Sequence, residues 1–133
     1  MRHKLLDTST LSALMRGLPA TIAAAESYLA RKGHFTFSVI TRYEILRGLK
    51  ARKAEKQVHT FVQFCERNVL LNLDAKAVDT AADIYAALRE RGTPIEDADI
   101  LIAATALVNE MDLVTANVKH FARIPELVVE SWR

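Results

Sequence analysis

Short apolar runs recur along the chain, each closed by polar or turn residues and separated from the next by a stretch of helical period. Leu5 and Leu6 are stopped by Asp7-Thr8-Ser9-Thr10, which predicts a buried first strand ending in a polar turn. A helix follows, interrupted near Gly17 and Pro19, and TIAAAESYLARKG continues it until Gly33 closes the segment. His34 to Ser38 alternates like a strand, with Phe35 and Phe37 on one face. SVITRYEILRGLKARK then predicts a helix with Ile40, Tyr43, Ile45 and Leu46 turned inward and Arg42, Arg47, Lys50, Arg52 and Lys53 solvated. AEKQVHTFVQFCERN places Val58, Phe61, Val62 and Cys65 at core spacing, and VLLNL reads as a third strand. Asp74 is the expected cap of AKAVDTAADIYAALRERG, whose apolar face is Ala77, Val78, Ala81, Tyr85 and Leu88.

The chain then restarts. Gly92, Thr93 and Pro94 break the helix, and ILIAATALV from Ile100 is apolar or small almost all the way round, as in a helix buried against a sheet. Asp97 and Asp99 stand at its start, Leu113 to Thr115 forms the next strand, and Leu127 to Val129 an edge strand. Strands alternating with helices in this way predict an α/β fold, an open parallel sheet with helices on both faces. Ligands of such sheets bind at the carboxyl ends of the strands. Asp7 ends strand one, Glu44 lies early in the helix after strand two, Asp99 starts the helix before strand four, and Asn117 follows strand four. All four are expected on one rim.

Composition changes this picture little. A chain of 133 residues, 50% hydrophobic and 26% charged, has the size and core of one domain, 1–133. The net charge of +2 is compatible with a nucleic-acid partner without demanding one. One cysteine, Cys65, allows no internal disulfide, and its apolar neighbours make it a core residue rather than a nucleophile. No segment approaches the roughly 20 apolar residues of a membrane span, and Asp7 interrupts the N-terminal apolar run, so no signal peptide is expected and a cytoplasmic location is.

Each acid also has a purely structural reading. Asp7 fits the cap of the first helix, Thr41-Arg42-Tyr43-Glu44 matches a capping box, and Asp97 and Asp99 sit where a helix dipole favours carboxylates. Asp97 is assigned mainly to capping or to supporting the other acids. Taken jointly, three carboxylates converging from distant segments would repel one another unless a cation lay between them. A divalent metal with hard oxygen ligands is the simplest candidate, and it can activate water and polarise a phosphoryl group.

LLDTSTLSALMRG, SVITRYEILRGL, PIEDADILIAATALV and LVTANVKHFARIPELVVESW, in this order and at these separations, resemble the successive motifs of PIN-domain ribonucleases, specifically the VapC-type toxins of bacterial toxin–antitoxin systems. The resemblance covers nearly the whole chain. It implies a three-layer α/β/α sandwich and Mg2+- or Mn2+-dependent cleavage of RNA. The family's acids fall on Asp7, Glu44 and Asp99. It also implies a cognate VapB-type antitoxin, a homodimer formed through helices in the N-terminal half, and possible larger toxin–antitoxin assemblies.

The chain departs from the pattern twice. Ser9 stands where the family commonly has Asn, a change of small expected consequence because a hydroxyl can still bond locally. In the last motif Ala116, Asn117 and His120 occupy the segment that often carries a fourth acid. Asn117 is expected to assist the metal site, and His120 to be an exposed imidazole rather than a ligand. Three carboxylates in place of four predict weaker hold on a second ion, hence one-metal operation or a manganese preference. The basic run from Arg42 to Lys56 reads equally as an RNA guide or a solvated helix face. Two alternatives remain: a catalytically silent PIN fold that only binds RNA or antitoxin, against which Asp7, Glu44 and Asp99 speak, and a haloacid dehalogenase-type phosphatase, whose motif needs a second Asp where this chain has Ser9.

Overall fold

The computed structural model describes residues 2–133. Five short strands, β1 (Lys4–Leu6), β2 (Thr36–Ser38), β3 (Val69–Leu71), β4 (Asp112–Val114) and β5 (Val129–Glu130), pair in the order β3-β2-β1-β4-β5. Every pairing is parallel. Parallel neighbours need long crossovers, and here helices supply them on both faces of the sheet, giving the expected three-layer α/β/α sandwich. The helices are α1 (Thr8–Met15), α2 (Pro19–Lys32), α3 (Val39–Ala51), α4 (Glu55–Glu66), α5 (Ala75–Glu90), α6 (Asp97–Val108) and the short α7 (Val118–Phe121).

Strand alternation divides the core in two. Leu5 and Leu113 face the layer of α5 and α6, where Ile84, Leu88, Ile100 and Ile102 complete one buried cluster. The next residue on each strand, Leu6 and Val114, faces the other way, into a cluster with Phe35, Phe37, Phe61 and Trp132. Phe37 and Phe61 are essentially inaccessible and pack with Phe64, ring centroids 5.8 to 6.4 Å apart, within the range of favourable aromatic pairs. α6 is buried nearly all round, as its composition requires, with Ile102, Ala103, Ala104 and Ala106 at no exposure. Cys65 is buried on α4, and burial pushes its thiol upward despite the nearby Arg42, which suits packing and not nucleophilic attack.

Three inward assignments fail. Tyr43 is 60% exposed, Val78 46% and Tyr85 44%. The two tyrosines instead lie under guanidinium groups, Arg47 over Tyr43 at 5.2 Å and Arg89 over Tyr85 at 5.7 Å, an arrangement that uses the ring face without burying it. The proposed capping box is also displaced. α3 begins at Val39 with Ser38 as its cap, the hydroxyl accepting from Thr41 N at 3.2 Å, so Glu44 lies in the second turn and has no cap to serve. No described helix is long and apolar enough to cross a membrane.

Asp74 behaves as expected, accepting from Ala77 N at 2.9 Å at the head of the exposed α5. Asp74→Ala should lower the stability measured by urea unfolding by about 1 kcal/mol, the usual worth of such a cap.

Candidate active site

The carboxyl edge of the sheet is built from the ends of β1, β2 and β4. Asp7 follows β1 directly and α3 follows β2 without a loop, while a tight turn after α6 leads into β4. That turn puts the C-terminus of α6 beside the start of β4, so its N-terminus, with Asp99, returns to the edge where β4 ends. Connectivity alone therefore gathers Asp7, Glu44 and Asp99.

Hydrogen bonds then fix each group. Asp7 is 4% exposed and caps α1, its Oδ1 accepting from Thr10 N at 2.9 Å and from the Ser9 hydroxyl at 2.7 Å. The capping reading was thus right, and it uses one carboxylate oxygen only. Ser9 Oγ also accepts from Ala116 N at 3.0 Å, so the residue in the family's Asn position ties the first acid to the loop after β4. Thr10 adds a second tie, its hydroxyl donating to Val114 O at 3.0 Å. Thr8 donates its hydroxyl to Glu44 Oε1 at 2.6 Å and lies 3.2 Å from Thr41 Oγ1, and Arg47 stands 3.7 Å from Glu44 Oε2. Thr8 and Ser9 thereby splint the acids from either side of Asp7.

Asp99 is the most informative of the three. Its carboxyl is pushed upward chiefly by burial; His120 opposes the shift, and the charges of Glu44 and Asp7 reinforce it. That coupling places all three acids within electrostatic reach of one another. His120 Nε2 lies 3.1 Å from Asp99 Oδ2, and its side chain is only 20% exposed. The expectation of an exposed imidazole is corrected here: α7 turns the ring back over α6, edge-on to Phe121. The sequence signal was its place where a fourth acid often stands.

Asn117 precedes α7, exposed, with its backbone N–H bonded to Thr115 Oγ1 at 3.0 Å and no side-chain cap bond. Asp97 is exposed beside Val78 and Tyr85 in the α5–α6 groove, and α6 has no side-chain cap. It stands apart from the three acids.

The donor set is hard oxygen and like-charged, the chemistry that suits magnesium or manganese. Among the described residues no three His, Cys, Asp or Glu side chains are disposed to hold one ion together. The arrangement fits the magnesium habit of one or two carboxylates with water and phosphate completing the shell.

The raised Asp99 carboxyl has a cost in stability. A folded-state pKa above the unfolded one means that the neutral form favours the fold; this contribution is complete at low pH and is lost as pH rises through the folded value. Asp99→Asn should therefore raise the urea midpoint at pH 7, with the gain shrinking as pH falls to the ordinary aspartate value of about 3.9. A lower midpoint for that variant at pH 7 would contradict the assignment.

Comparison with known proteins agrees with this geometry. The PIN domain profile matches residues 4–127. The tRNA(fMet)-specific endonuclease VapC of Salmonella typhimurium is 30% identical over 129 residues, 96% of each chain. The crystal structure of DNA-bound VapBC from Salmonella typhimurium contains a chain that superposes with a TM-score of 0.89, at 29% identity over the full length of both. A toxin–antitoxin complex from Klebsiella pneumoniae gives a TM-score of 0.74 at 26% identity over 98% of each chain. With the profile spanning nearly all of it, the chain belongs to the PIN-domain family and is a relative of the VapC ribonucleases.

Proposed function

We propose that the protein is a metal-dependent endoribonuclease toxin that cleaves phosphodiester bonds in RNA and is neutralised by a cognate VapB-type antitoxin. The observation that carries this reading is the electrostatic coupling of Asp99 to Glu44 and Asp7 at one edge of the sheet. Similarity to an endonuclease and to a chain of a toxin–antitoxin complex supports it.

Asp7 and Asp99 would hold the Mg2+ or Mn2+ ion, with Glu44 completing or flanking the set. When bound, such an ion lowers the pKa of its water and draws charge from the phosphoryl group. The chain's own residues prepare the ground. Ser9 and Thr10 fix Asp7 through Oδ1 and leave its other oxygen without a hydrogen bond among the described residues. Thr8 orients Glu44, and His120 orients Asp99. Asn117, exposed at the start of α7, is the proposed assisting group; Asp97, in its groove beside α5, would act only through the helix field. With His120 where a fourth acid often stands, we expect one ion, or a preference for manganese.

RNA cleavage by the purified chain should require Mg2+ or Mn2+, stop with a chelator, and fall in Asp7→Asn by about a hundredfold or more, since even supporting groups of metal ligands cost 10- to 100-fold. Undiminished cleavage by Asp7→Asn would reject the site. RNA binding without cleavage under any divalent ion would favour the silent binding module instead.

A further inference from the structure

Beside the acids, α1, α3 and α4 enclose an open groove of about 370 Å3. This falls within the range of about 300 to 1,000 Å3 seen for small-molecule pockets. Thr8 and Glu44 belong to its wall, so it is continuous with the acidic edge. Met15, Ile45 and Leu49 make it apolar, and Met15 is left 43% exposed there, unusual for a side chain with no partner to cover it. Arg16 and Arg52 line the same groove, and neither has an ion-pair partner among the described residues. Gly48 keeps one wall low: a Cβ placed there would meet only Arg52 Nη1, at 3.9 Å.

We propose that this groove seats one nucleotide of single-stranded RNA next to the bond being cut, its base against Met15, Ile45 and Leu49 and its phosphate between Arg16 and Arg52. The proposal rests on the ribonuclease reading above and adds where substrate selection occurs. Charge complementarity points to this occupant. An anionic backbone is needed to satisfy two unpaired guanidinium groups, and Arg forks match phosphate oxygens. An apolar slot beside them suits a base freed from stacking, as in unpaired RNA. Ser12 and Gln57, also in the wall, offer hydrogen bonds to a base edge and are the residues placed to discriminate among bases.

The test is the affinity of a short fluorescein-labelled single-stranded RNA of random sequence, read by anisotropy in chelator so that no cleavage intervenes, with base preference read from cleavage-site mapping. Arg16→Ala/Arg52→Ala should weaken binding about tenfold at low salt and flatten the slope of log K against log salt by about 1.4, two lost phosphate contacts at ~0.7 each. Gly48→Leu fills the groove at a helical position with room for a side chain; it should weaken binding comparably without changing the salt slope or lowering the unfolding midpoint. Ser12→Ala/Gln57→Ala should relax base preference at one position beside the cut, while Lys76→Ala on the far helix α5 should alter nothing. Wild-type affinity, slope and base preference in all the groove variants of a chain that still cleaves RNA would overturn this proposal and leave the nuclease reading standing. Failure of the wild-type chain to bind or cleave RNA would sink both. If Gly48→Leu spared RNA binding and abolished complex formation with the neutralising protein, the groove would belong to that protein and the nucleotide assignment would be overturned.

Discussion

Carboxylates repel one another, and half-burying them adds a desolvation cost; at the carboxyl edge of this sheet the fold accepts both. Asp99 carries the trace of that choice in a carboxyl pushed upward by burial and by the charges of Glu44 and Asp7. The remaining polar contacts of the edge limit the cost. Backbone and hydroxyl donors hold Asp7, the Thr8 hydroxyl and Arg47 steady Glu44, and His120 partly offsets the Asp99 charge. A fold selected for stability alone would have no reason to assemble such a group, and a divalent cation is the natural counter-charge.

The sheet makes the assembly possible because its strands are parallel. Parallel pairing sends each strand's carboxyl end to the same rim, and helices that follow without loops begin there. Acids from positions 7, 44 and 99 meet through topology alone, with no local sequence motif joining them. The two buried clusters, one on each face, keep that rim rigid, and α6 contributes most by being apolar on nearly every side. The basic groove next to the rim then follows from where α1 and α3 diverge around Gly48.

The order of elements was legible in the sequence because apolar runs, capping residues and helix-closing glycines report local physics. Asp74 and Gly33 act as read, the latter left-handed at φ +81°. Errors arose where an aromatic residue had two ways to satisfy itself. Tyr43 and Tyr85 lie at helical core spacing yet sit under arginines, a tertiary choice that periodicity does not encode. The capping box at Thr41 to Glu44 failed since Ser38, ending a strand, capped the helix first. His120 was misjudged because its partner Asp99 lies 21 residues away, and only the turn of α7 brings them together. The hydroxyls of Thr8 and Ser9, ordinary in sequence, matter because of what they join.

The account's central claim is that these separated acids share a cation. Paramagnetic broadening of the amide resonances during Mn2+ titration tests it without reference to catalysis. Signals from Thr8, Glu44 and Asp99 should disappear together at substoichiometric metal, with α5 and the sheet's far edge at β3 unaffected. Broadening centred elsewhere on the surface, or none below millimolar Mn2+, would contradict it.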